Sequence, residues 1–265
     1  MPSSSSPLLS ARRRLAVAGA LVVAALAGCT VGEQADSRRA IAPPDPMVEP
    51  VTADASAAIP SVGPGVAVAY NIADPSSLTV VVTKLRPLNP ASYVPPDLVV
   101  LTAVPGGASQ QMRGDAADAM TRMYQAASDA GVPFLISTAY RSYEYQGSIR
   151  ADEARAHGTT GLDHRVARPG HSEHQTGLAA DIYDVPANRV RQSFGASGAG
   201  VWVRDHAAEF GFIISYPEGS EAITGYIWEP WHVRYVGVGV AQDMREQGVA
   251  TLQEFFDVEA APDYA

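Results

Sequence analysis

Hydrophobic and polar positions follow two different periods along this chain, and each period predicts one type of secondary structure. Apolar side chains at near-helical spacing predict α-helices at residues 115–130, 143–157, 205–210 and 239–256. A glycine ends or interrupts each of these segments. Short runs of apolar and β-branched residues predict strands at residues 66–70, 78–82, 134–138 and 212–216. Helices and strands are interspersed without strict alternation, which favours an α+β fold over a doubly wound parallel sheet.

The first 28 residues are arranged like an export signal. Three consecutive arginines at residues 12–14 precede an apolar run at residues 15–26, shorter than the about 20 residues of a membrane-spanning helix. The run leads into LAGC, which ends at Cys29 and resembles the lipobox of bacterial lipoproteins. The resemblance implies cleavage before Cys29 and acylation of that residue. A signal peptide cut elsewhere, with Cys29 incidental, is the alternative.

Composition and charge exclude several classes of protein and of binding partner for this chain. The chain has 265 residues, of which 46% are hydrophobic, so it can bury a core. Its single cysteine excludes a disulfide scaffold and any multi-cysteine metal site. A formal charge of −9 argues against a nucleic-acid partner. Because an acidic body is not attracted to anionic lipids, acyl chains would have to hold it at the membrane. We expect an extracytoplasmic protein of the cell envelope, lipid-anchored to the cell membrane.

The mature chain divides into a stalk and a folded domain. Residues 29–64 are dominated by proline, alanine, serine and acidic residues with no sustained period, which predicts a flexible stalk. We expect the folded domain to cover residues 65–257 and a disordered tail to cover residues 258–265.

Histidines and carboxylates are concentrated in two segments, at residues 168–181 and 228–237. Imidazole and carboxylate are the ligands that zinc takes when thiolates are lacking. His174 and Asp181 are seven residues apart, and a straight strand would separate them by about 23 Å. A bend at Gly177 would remove this difficulty.

His232 is the best third ligand, because a catalytic zinc usually has three protein ligands and an open position. Glu229 lies three residues before His232, where it could take a proton from the attacking water. Pro230 between them predicts a loop or an edge strand. The spacing alone leaves a surface histidine cluster equally open.

Three motifs in order resemble those of the VanY-type zinc D-alanyl-D-alanine carboxypeptidases. SEHQTGLAAD at residues 172–181 is similar to the family's SxHxxGxAxD signature, and EPWH at residues 229–232 is similar to its ExWH signature. STAYRSYEYQ at residues 137–146 resembles its SxxYRSyxxQ element. KLRPL and PPDL, further upstream, resemble its entry segment. The similarity runs over about residues 80–237.

The resemblance implies a fold, a cofactor and a set of roles. The fold would be hedgehog/DD-peptidase-like, with a small antiparallel sheet flanked by helices. Glu229 would be the general base and then the general acid, and Arg141 would stabilise the oxyanion on the scissile carbonyl. Ser172 and Gln146 would contact the C-terminal end of the substrate. The implied Zn²⁺ ligands are His174, Asp181 and His232.

More ordinary roles remain open for several of these residues. Glu229 could orient a ligand, Arg141 could form a structural ion pair, and Ser172 and Gln146 could make structural contacts only. The motif assigns the metal to His174 and not to the nearby His171.

The implied activity is the hydrolytic removal of the terminal D-alanine from peptidoglycan stem peptides by a monomeric enzyme. Close alternatives are an L,D-carboxypeptidase, a dipeptidase or an endopeptidase acting on the same peptides. A non-catalytic cell-wall-binding lipoprotein that has kept the fold is the alternative from another class. The presence of every ligand and of the base speaks against it.

Overall fold

The structure is a computed structural model that describes residues 70–265. The predicted signal peptide, Cys29, the stalk, the start of the folded domain at residue 65 and all but the last residue of the predicted strand 66–70 lie outside the described residues.

Helices and short strands alternate irregularly along the described residues. The helices are α1 (Gly114–Asp129), α2 (Tyr143–His157), α3 (Gly198–His206), α4 (Glu221–Thr224), α5 (Val238–Gln247) and α6 (Leu252–Phe255). The strands are β1 (Leu98–Val100), β2 (Gln111–Arg113), β3 (Leu135–Thr138), β4 (Ala179–Tyr183), β5 (Phe212–Ile214) and β6 (His232–Tyr235). Within residues 70–265, no helix is both long enough and apolar enough to cross a membrane.

Two antiparallel sheets organise the fold. β1 pairs with β2, and the larger sheet has the strand order β3-β4-β6-β5 with every neighbouring pair antiparallel. The apolar stripe of α1 belongs to the main core, where Met120 and Met123 share one buried cluster with Ile136, Ile182 and Val233 of the larger sheet. The predicted α+β fold with a small antiparallel sheet flanked by helices is confirmed.

A tight bend at Gly177 connects the two halves of the SEHQTGLAAD motif. Residues Glu173–Thr176 form one 3₁₀ turn, Gly177 then adopts φ +69°, and β4 begins two residues later. A β-carbon at Gly177 would lie 2.9 Å from Leu98 Cδ2 and 3.0 Å from Arg113 Cγ. The position therefore requires glycine both for its left-handed backbone and for its lack of a side chain.

The predicted strand at residues 78–82 is wrong. This segment is buried, but its backbone hydrogen bonds are not made to a neighbouring strand. The Val81 amide donates to the Ile72 carbonyl at 3.0 Å, and the Arg234 guanidinium donates to the Val80 carbonyl at 3.1 Å. Its β-branched residues therefore reflect burial and not strand pairing.

The prediction of a loop or edge strand around Pro230 is correct for Glu229 and Pro230 and wrong for His232. β6 begins at His232 and is an interior strand, paired on one side with β4 and on the other with β5. Pro230 lies just before the strand, so its missing N–H removes no bond from the ladder.

Residues 258–265 differ from the predicted disordered tail. Ala261 is fully buried and its amide donates to the Ile223 carbonyl at 2.7 Å. The Tyr264 hydroxyl accepts a hydrogen bond from the Arg168 amide at 2.8 Å, and Lys84 Nζ donates to the Pro262 carbonyl at 2.9 Å. These single contacts have no periodicity that a sequence pattern could reveal.

We expect Gly177→Ala to lower the free energy of unfolding by about 2–4 kcal/mol, because the new methyl group adds crowding to backbone strain. The control is Gly131→Ala, where φ is +77° and no atom lies within 4 Å of the added β-carbon, so strain acts alone. Urea unfolding of the metal-free proteins measures both. An equal loss in the two variants would contradict the close approach at Gly177.

Candidate metal centre

Three buried side chains converge at one point of the larger sheet. His174 Nε2 lies 3.3 Å from Asp181 Oδ1, and His232 Nδ1 lies 3.1 Å from the same oxygen. One ligand atom from each of the three residues lies within 4.8 Å of the others. The structure thus brings together the three residues that the sequence predicts as metal ligands.

The backbone sets this arrangement. Asp181 of β4 and His232 of β6 are directly paired across the strands, so their side chains share one face of the sheet. The bend at Gly177 turns the chain back so that His174, on the preceding 3₁₀ turn, reaches the same face.

Hydrogen bonds aim both imidazoles at the common point. His174 Nδ1 donates to the Ala139 carbonyl at 2.7 Å, which leaves Nε2 as the unprotonated nitrogen. That buried Nε2 has no hydrogen-bond partner among the described residues. His232 Nε2 donates to Glu173 Oε2 at 2.9 Å, which leaves Nδ1 to face Asp181. An orphaned nitrogen within a two-histidine, one-aspartate set fits a zinc ion.

Without a metal, the centre holds a proton. Burial opposes a charge on His232, but its bonds to Asp181 and Glu173 outweigh burial and raise its pKa to about 10. Burial and the nearby Arg141 lower the pKa of His174 to about 4. Burial also opposes ionisation of Asp181, yet the two histidines hold the pKa of its carboxyl well below the usual range. The proton on His232 thus offsets the charge of the two carboxylates that it contacts.

Glu173 is a functional residue that the sequence interpretation missed. It is buried beside His232, and its other oxygen lies 3.6 Å from Nη1 of the fully buried Arg234. Burial disfavours its charge, but the His232 bond and Arg234 keep its pKa below the usual range. Two signals were present in the sequence: an acid beside a predicted ligand, and an arginine two residues after His232, on the same strand face.

Glu229 lies in the loop before β6 and lines a cavity of about 270 Å³ at the centre. Its amide donates to the Tyr216 carbonyl at 2.9 Å, and its own carbonyl accepts from the His232 amide at 3.0 Å. Burial raises the pKa of its carboxyl to about 8. A carboxyl group with a pKa near neutrality can exchange a proton in both directions.

Arg141 lines the same cavity, with Nη1 at 4.0 Å from Asp181 Oδ2. Its amide donates to the His174 carbonyl at 3.3 Å, which fixes it beside the centre. Its buried Nε has no hydrogen-bond partner among the described residues. The loose contact with Asp181 leaves donor capacity for an oxyanion, and that role remains a prediction.

The two predicted substrate contacts differ in position. Ser172 is buried and lines the cavity. Gln146 does not line it: its amide nitrogen donates to the Ala167 carbonyl at 2.9 Å, and Ala167 lines the cavity. Gln146 thus supports a wall of the cavity in this structure.

His171 is not part of the centre. Its Nδ1 pairs with the Thr83 carbonyl at 2.9 Å, and its ring packs edge-on against Tyr264. Trp231, between Glu229 and His232 in sequence, is buried and lines the cavity.

The family model described as VanY, D-alanyl-D-alanine carboxypeptidase, matches residues 109–238. YodJ of Bacillus subtilis (strain 168) is 38% identical over 191 residues, which cover 70% of this chain and 69% of YodJ.

Solved structures agree with these sequence matches. The LD-carboxypeptidase LdcB superposes with a TM-score of 0.63 at 37% identity, covering 70% of this chain and 88% of LdcB. VanYB in complex with D-alanine-D-alanine has a TM-score of 0.56 at 30% identity, covering 67% of this chain and 96% of VanYB. A VanY variant from a VanB-type cassette, in complex with Zn(II), has a TM-score of 0.57 at 29% identity and covers 69% and 99% of the two chains.

The motifs, the metal centre and these matches lead to one conclusion: the chain belongs to the VanY family of D-alanyl-D-alanine carboxypeptidases.

Proposed function

We propose that this protein is a zinc-dependent D-alanyl-D-alanine carboxypeptidase that removes the terminal D-alanine from peptidoglycan stem peptides. The observation that carries the proposal is the convergence of His174, Asp181 and His232 in one cavity with Glu229 and Arg141. Family membership and the D-alanine-D-alanine complex of VanYB support it.

A zinc ion held by His174, Asp181 and His232 would polarise the scissile carbonyl and lower the pKa of water to about 7. The remaining chemistry belongs to side chains of the cavity. Glu229 takes the proton of the attacking water and then delivers it to the departing amino group of D-alanine. The positive charge of a bound zinc ion would lower the raised pKa of Glu229 toward the working pH of a base.

Three further groups position the reaction. The Arg141 guanidinium, which lines the cavity, donates to the carbonyl oxygen as it becomes negative. Glu173 holds the His232 ring through its Nε2–H, so that Nδ1 keeps its direction. Ser172, which lines the cavity, would contact the C-terminal end of the substrate.

We propose in addition that the mature protein is a monomer, tethered outside the cytoplasm through lipid on Cys29. The LAGC tetrapeptide after a short apolar run supports the anchor.

We expect the zinc-loaded protein to release D-alanine from a pentapeptide stem, and Glu229→Gln to lower kcat by about 10²–10⁴-fold at unchanged zinc content. Glu218→Gln, at an exposed position before α4, is the matched control. D-alanine release and bound zinc are measured together, with a tetrapeptide in parallel to detect L,D activity. Release that survives complete zinc removal would contradict the mechanism.

The metal-free protein should also show the cost of burying Glu229. Its pKa of about 8 lies above the unfolded value of 4.5, so its contribution to stability is complete below pH 4.5 and is lost as the pH rises through 8. Glu229→Gln removes this loss. We expect the variant to melt above the wild type at pH 8, with a gap that shrinks toward pH 5. A gap independent of pH in thermal unfolding would contradict a buried, ionising Glu229.

For the anchor, we expect Cys29→Ala to reduce the amount of protein in the membrane fraction of a bacterial expression host. The variant would be found as soluble extracytoplasmic protein or as precursor whose signal peptide is not removed. Immunoblots of the fractions and mass spectrometry of the N-terminal peptide test this. An unmodified Cys29 in membrane-bound wild-type protein would refute lipidation.

A further inference from the structure

The cavity at the metal centre continues into an open groove that leads away from it. A depression of about 350 Å³ shares Val190, Glu229 and Trp231 with the cavity. A further one of about 340 Å³ adjoins it through shared wall residues. We name this continuous surface the arginine groove, after three of its lining residues, Arg165, Arg189 and Arg191.

The arginine groove is cationic in an acidic chain of formal charge −9. Arg165 is paired with Glu153 at 3.1 Å, which also lines the groove. Arg189 donates to the neutral Ser137 hydroxyl at 2.9 Å. Within residues 70–265, no carboxylate lies within ion-pair distance of Arg189 or Arg191. Two of the three guanidinium groups thus keep their full charge available to a ligand.

The loop that carries these arginines is held in place. Asn188 accepts from the Ser193 hydroxyl at 2.7 Å and donates to Asp184 at 2.8 Å, and Gln192 donates to the Trp228 carbonyl at 3.2 Å. Val190, between Arg189 and Arg191, has φ +52°, a conformation that β-branched residues rarely adopt. Such outliers concentrate at binding sites.

A carboxypeptidase has only one substrate residue beyond the scissile bond. A long groove that starts at its metal centre must therefore receive the part of the peptide on the N-terminal side of that bond. This step rests on the proposed function.

We infer that the arginine groove binds a free carboxylate carried by the substrate on the N-terminal side of the scissile bond, with Arg191 as its main contact. Guanidinium groups pair with carboxylates through two parallel hydrogen bonds, and a carboxamide cannot replace the charge. The groove is a specificity element for acidic peptides, separate from the residues that carry out hydrolysis.

The test compares two synthetic pentapeptides that end in D-Ala-D-Ala and differ only at one upstream acidic residue. The chain continues through the side-chain carboxyl group of that residue, so that its α-carboxyl group is a free carboxylate in one peptide and a carboxamide in the other. We expect zinc-loaded wild type to favour the acid about three- to tenfold in kcat/KM, mainly through KM, at low ionic strength. Added salt should reduce the preference, because exposed charges are screened. Arg191→Gln should bring the ratio close to one.

Arg204→Gln is the matched control, since Arg204 is an exposed arginine of α3 that pairs with Asp205 and does not line the groove. Its acid preference should equal that of the wild type. Equal kcat/KM for the two peptides in wild type, or a preference that persists in the double variant Arg189→Gln/Arg191→Gln, would overturn the inference.

A measurement of peptide affinity distinguishes failure of this inference from failure of the proposed function. The same peptides are titrated by calorimetry into zinc-loaded Glu229→Gln, in which slow turnover allows binding to be measured by itself. Tighter binding of the acid, with no D-alanine released by the wild type, would refute the proposed function and leave the inference standing. Turnover of both peptides without any difference in affinity would refute the inference alone.

Discussion

The register between β4 and β6 is the constraint on which the active site depends. It places Asp181 opposite His232 through ladder hydrogen bonds, so two of three ligands are positioned by the backbone and not by flexible side chains. The third ligand, His174, is positioned by the bend at Gly177, whose amide donates back to the His174 carbonyl at 3.2 Å. The positions of all three ligands are therefore set by the backbone.

Burial makes this geometry electrostatically demanding. Charged groups in an apolar interior are tolerated only when they are paired. Glu173 meets this requirement by bridging His232 and Arg234, and Arg234 in turn donates to the carbonyls of Leu78 and Val80. The metal centre and the first described segment of the domain thus belong to one polar network. Removing Glu173 would leave the buried Arg234 without its carboxylate partner and His232 Nε2 without its hydrogen-bond acceptor.

The parts of the fold that follow from local rules could be predicted from the sequence. Helix α2 has the predicted bounds because Ser142 caps its first turn and Gly158 ends it. The bend at Gly177 follows from the need to bring His174 near Asp181. Residues whose role depends on distant partners could not be predicted. The buried run at 78–82 is satisfied by Arg234 from another part of the chain.

The same limit applies within the site. Glu173 has no spacing that distinguishes it from an exposed acid, because its partners come from β6. Gln146 lies in the motif but supports the Ala167 backbone, a contact that no pattern of residues near it reveals. The C-terminal segment, with Ala261 buried, depends on single contacts in the same way.

The metal ligands Asp181 and His232 lie in paired strands, whereas Arg189 and Arg191 lie in a loop. This separation determines which parts of the domain can change in sequence and length. A slip of one residue between β4 and β6 would turn Asp181 and His232 to opposite faces, so neither strand tolerates an insertion. The loop with Arg189 and Arg191 starts only after β4 has ended at Tyr183, outside that ladder. Its length and charge can vary by insertion, deletion or grafting while the ligand geometry stays intact. The domain can therefore be given a new substrate preference by loop exchange, with the hydrolytic centre carried over unchanged.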